Sequence, residues 1–202
     1  MTHLSPLLEY LLETHGGIFT VQQATQHGVS RQTLVRATKS RTLERVQRGV
    51  YRQIDAPIQA FETLLEVQLR IPFAVICQKS ALAFHDLTTF IPKIVEISVP
   101  RERKIPKLEY PKVKVYFENN NIFQFGIEVH ELRGQSLRVY SPEKTLMDLL
   151  RRKQETLFVE GVKRYLLRPN RNLLTLLEAA RVCRLEARIM DLLRVEGFNA
   201  GV

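Results

Sequence analysis

The stretch TVQQATQHGVSRQTLVRATKSRTLERVQRGVYR, residues 20–52, decides the fold. Thr20 is a good N-cap, and Gln23 at the third helical position completes a capping box. A short helix therefore runs through Val21 and Ala24 to His27. Gly28 supplies a left-handed turn residue, and Val29 plugs the core between two helices. Ser30 is a second N-cap and opens a helix from Arg31 to about Arg41. Helix, tight glycine turn and helix make the unit that places its second helix in a DNA major groove.

Helical geometry sorts the faces of that second helix. At about 100° per residue, Leu34, Ala37, Thr38 and the stem of Arg41 fall on one side. Gln32, Arg36 and Lys39 fall on the other, flanked by Thr33 and Ser40. This outer face carries no carboxylate. It offers an amide, a guanidinium and an ammonium, the groups that read base edges and phosphates. Next comes LERVQRGVYR, residues 43–52, where two β-prone runs flank Gly49 and read as a hairpin with a bulged turn. Arg45, Arg48 and Arg52 decorate it, and a basic hairpin after a recognition helix is a wing. The expected DNA-binding residues are Ser30, Arg31, Gln32, Thr33, Arg36, Lys39, Arg41, Arg45 and Arg48.

Upstream, Leu4, Leu7, Leu8, Leu11 and Leu12 recur at helical spacing, with Glu9 and Glu13 off the stripe. That helix stops at Gly16-Gly17, and Ile18-Phe19 form a short extended piece able to pair with the wing. Residues 1–52 hold seven basic residues against three acids, and every basic one lies after residue 30. The bland alternative is a solvated three-helix module that contacts proteins.

Bulk properties set the wider limits. The chain has 202 residues, 45% of them hydrophobic, and a formal charge of +9, so it can bury a normal core and attract polyanions. Two cysteines, Cys77 and Cys183, lie far apart in apolar surroundings and read as buried thiols of a reducing compartment. Neither has the spacing of a zinc site. No secretory leader pattern opens the sequence, and no run approaches the roughly 18 apolar residues of a membrane span. A cytoplasmic protein is expected, with no membrane partner, cofactor or metal.

The remainder alternates element types. An amphipathic helix is predicted from Pro57 to Arg70, marked by Ile58, Phe61, Leu64, Leu65 and Leu69. Strands are predicted near 74–77, 94–99 and 113–117, with a helical 80–85 and a basic loop from Arg101 to Lys114. Residues 127–132 and 137–140 make a hairpin around Arg133-Gly134-Gln135-Ser136. Ser141 and Pro142 open a helix ending in Arg151-Arg152-Lys153, and helices near 156–168, 172–183 and 185–196 finish the chain. The fold class is α+β: an N-terminal winged helix-turn-helix over 1–54, then a mixed α+β domain over 55–202 with a helical C-terminal end.

Catalytic signatures are lacking: there is no phosphate loop, HExxH or GxSxG. The most suspicious polar cluster is Glu143, Lys144 and Asp148, with Glu128 or His130 as neighbours, which suits a metal-dependent nuclease carrying a DNA-targeting domain. Helical spacing points these three side chains in different directions, and capping and surface pairing explain them more simply. No catalytic residue is assigned. His85 reads as a core or interfacial histidine. The runs Arg151–Lys153 and Arg101–Lys104 read as solvated faces, with contact to flanking DNA as the alternative.

Taken in order, several segments resemble one family. They are Gly17-Ile18-Phe19-Thr20, Gly28-Val29-Ser30-Arg31, the wing Leu43–Tyr51, KSALAFHDL at 79–87, Ile91-Pro92, Val99-Pro100 and YSPEKTLMD at 140–148. The chain resembles the AbiEi-like antitoxins, transcriptional regulators of type IV toxin–antitoxin modules. The resemblance implies autorepression: the winged domain binds inverted repeats in double-stranded DNA upstream of its own operon. It also implies that the larger domain counters a nucleotidyltransferase-like toxin. The DNA-contacting positions it carries over are Arg31, Gln32, Thr33, Arg36, Lys39 and the wing arginines. No toxin-contacting residue is assigned, and homo-oligomeric or cooperative binding on DNA stays open.

Overall fold

Ser5 to Val195 holds two compact units in the computed structural model, which describes residues 5–56 and 60–195, side chains of 192–195 excepted. The expected roles of Leu4, Pro57, Ile58 and residue 196 lie outside the described residues. The first unit comprises the described part of 1–73 together with Ile105–Lys112 and Val129–Leu137; the second comprises the rest.

In the first unit, α1 (Pro6–Thr14) follows Ser5, with proline in its first turn. Leu8, Leu11 and Leu12 are buried, but Leu7 is half exposed, so the apolar stripe is narrower than its spacing implies. Strand β1 (Ile18–Thr20) leads directly into α2 (Val21–Gln26), then α3 (Arg31–Lys39), β2 (Leu43–Gln47) and β3 (Val50–Gln53). The β1 strand pairs antiparallel with β3, Phe19 opposite Tyr51, giving a three-stranded sheet in the order β1-β3-β2. A bulge interrupts the β2–β3 ladder between Glu44 and Gln47, and Gly49 turns the hairpin at φ +81°. This is the architecture of a winged helix-turn-helix, as expected.

Leu8, Leu11, Leu12, Phe19, Ala24, Val29, Leu34, Ala37 and Leu43 form one apolar cluster. Each fully buried leucine contributes about 1.5–3 kcal/mol, so the module has a core of its own. Helix α4 (Glu62–Arg70) starts later than predicted: Phe61 precedes it in the left-handed region at φ 64°. Its Leu65 packs with Ile18 and Val50.

Residues 129–137 also belong here. Arg133 Nη1 donates to the Gly16 carbonyl at 2.8 Å, and Gln135 Nε2 donates to the Ile18 carbonyl at 2.7 Å. Gln23, the capping-box residue, donates to Gln135 Oε1 at 2.8 Å. A Cβ on Gly134 would stand 2.3 Å from the Thr14 carbonyl, so only glycine allows this approach.

The second unit contains β4 (Val75–Ile76), α5 (Gln78–Phe84), β5 (Val95–Pro100), β6 (Val113–Glu118) and α6 (Asn120–Gln124). Next in the chain are β7 (Ile127–Leu132) and β8 (Gln135–Tyr140), whose residues 129–132 and 135–137 are those counted above in the first unit. Then, in the second, come α7 (Pro142–Arg151), α8 (Glu155–Leu166), α9 (Leu173–Val182) and α10 (Glu186–Val195). The sheet order is β6-β5-β4-β8-β7, mixed in direction: β5–β6 and β4–β8 run parallel, β4–β5 antiparallel. The short α6 was not expected. Leu146, Leu149 and Leu150 of α7 join Phe158, Val162, Tyr165, Leu176 and Ala180 in a helical core. Both cysteines are free and buried, and burial raises both thiols above their ordinary value.

Candidate nucleic-acid interface

Local chemistry sets α3 in place. Thr20 accepts from the Gln23 amide at 3.2 Å while Gln23 Oε1 accepts from the Thr20 amide at 2.8 Å, the reciprocal capping box. Gly28 then turns the chain at φ +75°. Ser30 caps α3 by accepting from the Thr33 amide at 3.1 Å, and the two hydroxyls lie 2.9 Å apart. Ser30 and Thr33 thus serve the helix start, Ser30 exposed and Thr33 half-buried.

Leu34 and Ala37 are buried beneath the helix, while Arg31, Gln32, Arg36 and Lys39 are exposed. None of these four side chains has an ion-pair or hydrogen-bond partner among the described residues. One correction concerns Arg41. The helix ends at Lys39 rather than near Arg41, and Arg41 is exposed in the left-handed region at φ 58°. Sequence reasoning also missed Val35. It is 49% exposed, three residues after Gln32 and four before Lys39, so it shares their face. The signal was present in the spacing.

The wing divides its arginines. Arg45 and Arg48 are exposed and without partners among the described residues. Arg52, expected to decorate the wing, turns inward instead. It binds Glu44, donates to Glu62 at 3.4 Å and lies 3.9 Å from Glu66. Glu62 also meets Arg133 at 3.7 Å. Burial, reinforced by Glu62 and Glu44 and opposed by Arg52, pushes the Glu66 carboxyl up. These acids sit at helix positions that look solvated by period alone, and their burial depends on Arg52 and Arg133 arriving from distant segments.

What the surface offers is a carboxylate-free helix face beside a two-arginine wing. Residues 6–52 match the sequence model of a family described as "Transcriptional regulator, AbiEi antitoxin". This segment is similar to that family. The match lies wholly within the winged module, and its description names a transcriptional regulator and antitoxin. Among solved structures, the RV2827C protein from Mycobacterium tuberculosis is similar, with 16% identity over 95% of this chain and 82% of that chain and a TM-score of 0.49. No curated protein matches. Among the described residues, no helix is long and apolar enough to cross a membrane.

Outside the AbiEi segment lies the polar cluster weighed above for nuclease chemistry. Helical spacing was expected to separate Lys144 from Asp148 and leave both at the surface. The structure corrects this: an i,i+4 pair shares a face, and Lys144 Nζ donates to Asp148 Oδ1 at 2.6 Å with both side chains buried. Lys144 also lies over the Tyr140 ring at 4.3 Å. Glu143 accepts from the Tyr165 hydroxyl at 2.6 Å.

The basic run at the end of α7 is likewise not wholly solvated. Arg151 donates to Glu118 at 2.9 Å and Arg152 donates to it at 2.8 Å. Burial alone would raise the Glu118 carboxyl, but these two guanidiniums hold it below the usual carboxylate range. His85 caps α5, with Nε2 2.7 Å from the Tyr140 carbonyl.

Proposed function

We propose that this chain is a DNA-binding transcriptional autorepressor that recognises inverted repeats upstream of its own operon. One observation carries the reading: Gln32, Arg36 and Lys39 on one face of α3, with Arg45 and Arg48 on the wing, are exposed and uncommitted within the chain. Long cationic and amide side chains on such a face serve base edges and phosphates. Val35 adds an apolar contact of the kind that meets a thymine methyl. Ser30 and Thr33 fix the helix start, which suits a phosphate at its N-terminus, since no acid occupies the first turn. Arg31 and Arg41 flank the face as backbone contacts.

A second half of the role, motivated by the word antitoxin in the description of the matched family, is that the larger unit counters a nucleotidyltransferase-like toxin. In this reading the protein acts without catalysis or cofactor, in the cytoplasm, and the Lys144–Asp148 pair is architectural. Gel shifts on the upstream intergenic DNA test the first half. Wild type is expected to retard this fragment in preference to a scrambled duplex. Equal retardation of both, or equal binding by an Arg36→Ala/Lys39→Ala variant, would remove the α3 face from the reading. Co-purification with the product of a neighbouring nucleotidyltransferase-like gene tests the second half, and failure to form that complex would count against it.

A further inference from the structure

Beside the wing, a cleft of about 530 Å³ opens between β2 and the returning segment Ile105–Lys112, all within the first unit. Arg48 of the wing turn, Arg70 at the end of α4 and Lys107 line it, with Glu109 as the single acid. The three cations come from segments that are far apart in sequence. None has an ion-pair or hydrogen-bond partner among the described residues.

The neighbouring cleft, of about 500 Å³, provides the control. Val46 and Tyr110 line both. In that second cleft Arg52 is gripped by Glu44 and faces Glu62 and Glu66, so positive charge is compensated from within the chain. Three like charges around the first cleft repel one another, and an anion relieves that repulsion.

We infer that this cleft seats a phosphate of the DNA backbone, making Arg70 and Lys107 DNA contacts alongside the wing. The inference rests on the DNA-binding reading above and extends its footprint. Arg48 decides the source of the phosphate. It is both a wing residue and a cleft residue, so a duplex engaged by the wing presents its backbone to Arg70 and Lys107 as well. With Glu109 counted, the lining carries a net charge of +2, suited to one or two phosphodiesters. Such contacts position the protein and are indifferent to base sequence.

The test is the salt dependence of binding, read by fluorescence anisotropy on a labelled duplex from the upstream intergenic DNA. Each lost phosphate contact lowers the magnitude of the slope of log K against log salt by about 0.9. Lys107→Gln is therefore expected to reduce the slope by about 0.9 and Arg70→Ala/Lys107→Gln by about 1–2, each weakening specific and scrambled duplexes alike by about 3- to 10-fold per contact. Lys107 is exposed, so its variant keeps the fold, and an unchanged melting temperature verifies this. Wild-type DNA binding with unchanged slopes in both variants would overturn the inference and leave the proposed function standing. No DNA binding by wild type would overturn both. A parallel titration with inorganic phosphate distinguishes the other source. Saturable phosphate binding lost in the double variant, with DNA slopes unmoved, would make the cleft a seat for a free phosphorylated molecule and overturn the backbone contact.

Discussion

Helices α3 and α7 both carry basic residues, and the two units treat them in opposite ways. On α3, Arg36 and Lys39 stand exposed with no partner among the described residues. On α7, Lys144 is fully buried against Asp148, and Arg151 is shared between Asp148 and Glu118. The difference teaches that a formal charge of +9 says little about where a polyanion binds. What matters is which cations the fold leaves uncommitted. A buried ion pair pays for desolvation with geometry, and its charge is invisible from outside. An exposed, unpaired cation costs the fold little and remains available to a ligand.

The sharpest way to break this comparison is to remove one partner of the buried pair. Asp148→Ala leaves Lys144 uncompensated in a dry site and removes a partner of Arg151. It is expected to cost about 3–5 kcal/mol in urea unfolding. Replacing both residues, as Lys144→Met/Asp148→Leu, is expected to recover most of that loss, because no isolated charge remains buried. A single variant costing under about 1 kcal/mol would show that water reaches the pair, and the cluster would then merit assay as a reactive site.

The mirror-image experiment is on α3. Arg36→Ala and Lys39→Ala are expected to leave unfolding free energy within about 0.5 kcal/mol of wild type, as surface changes do. Arg36→Ala should nevertheless cost about 1–3 kcal/mol in specific DNA affinity if it reads a base. A loss of stability matching the loss of binding would mean that the α3 cations serve the fold after all. A finer probe is Val35. Replacing thymines of the bound site by uracil deletes one methyl each, worth about 0.8 kcal/mol where the methyl is buried. Wild type should lose up to about 4-fold in affinity at the contacted thymine, and Val35→Ala should be insensitive to the same exchange. Equal sensitivity in both would remove Val35 from recognition.

Local signals made the first unit legible: capping residues at Thr20 and Ser30, the turn at Gly28, the hairpin around Gly49 and the helical period of α3. Each is decided within four residues, so the sequence carries it openly. The candidate face was legible for the same reason, apart from Val35. What could not be read depends on distant partners. No local pattern indicates that Arg133 and Gln135 return to Gly16 and Ile18, or that Lys107 arrives beside Arg48. Arg52 looked like a wing contact because its acids, Glu62 and Glu66, come from a helix placed only by tertiary packing. Lys144 and Asp148 were misjudged for a different reason: their i,i+4 spacing was on the page, but burial of α7 from Glu143 to Leu150 was not.

The smallest expected effect is one of pH, and it separates the units by window. In the first unit, His15 Nε2 lies 3.3 Å from His27 Nε2, and His15 Nδ1 is buried without a hydrogen-bond partner. Burial, and then the charge of His27, lower the pKa of His15 below its usual 6.5. The folded state therefore binds fewer protons than the unfolded chain. Stability from this source is full above about 6.5, declines as pH falls below that value, and levels off under the folded pKa. Glu118 in the second unit acts lower: its depressed carboxyl gives stability above the usual 4.5 that is lost as pH falls through the folded pKa. Urea midpoints measured from pH 8 to pH 3 should thus fall in two steps. His15→Gln should flatten only the upper step and Glu118→Gln only the lower. A His15→Gln variant that keeps the upper step would assign it to another group and leave the histidine pair without a part in stability.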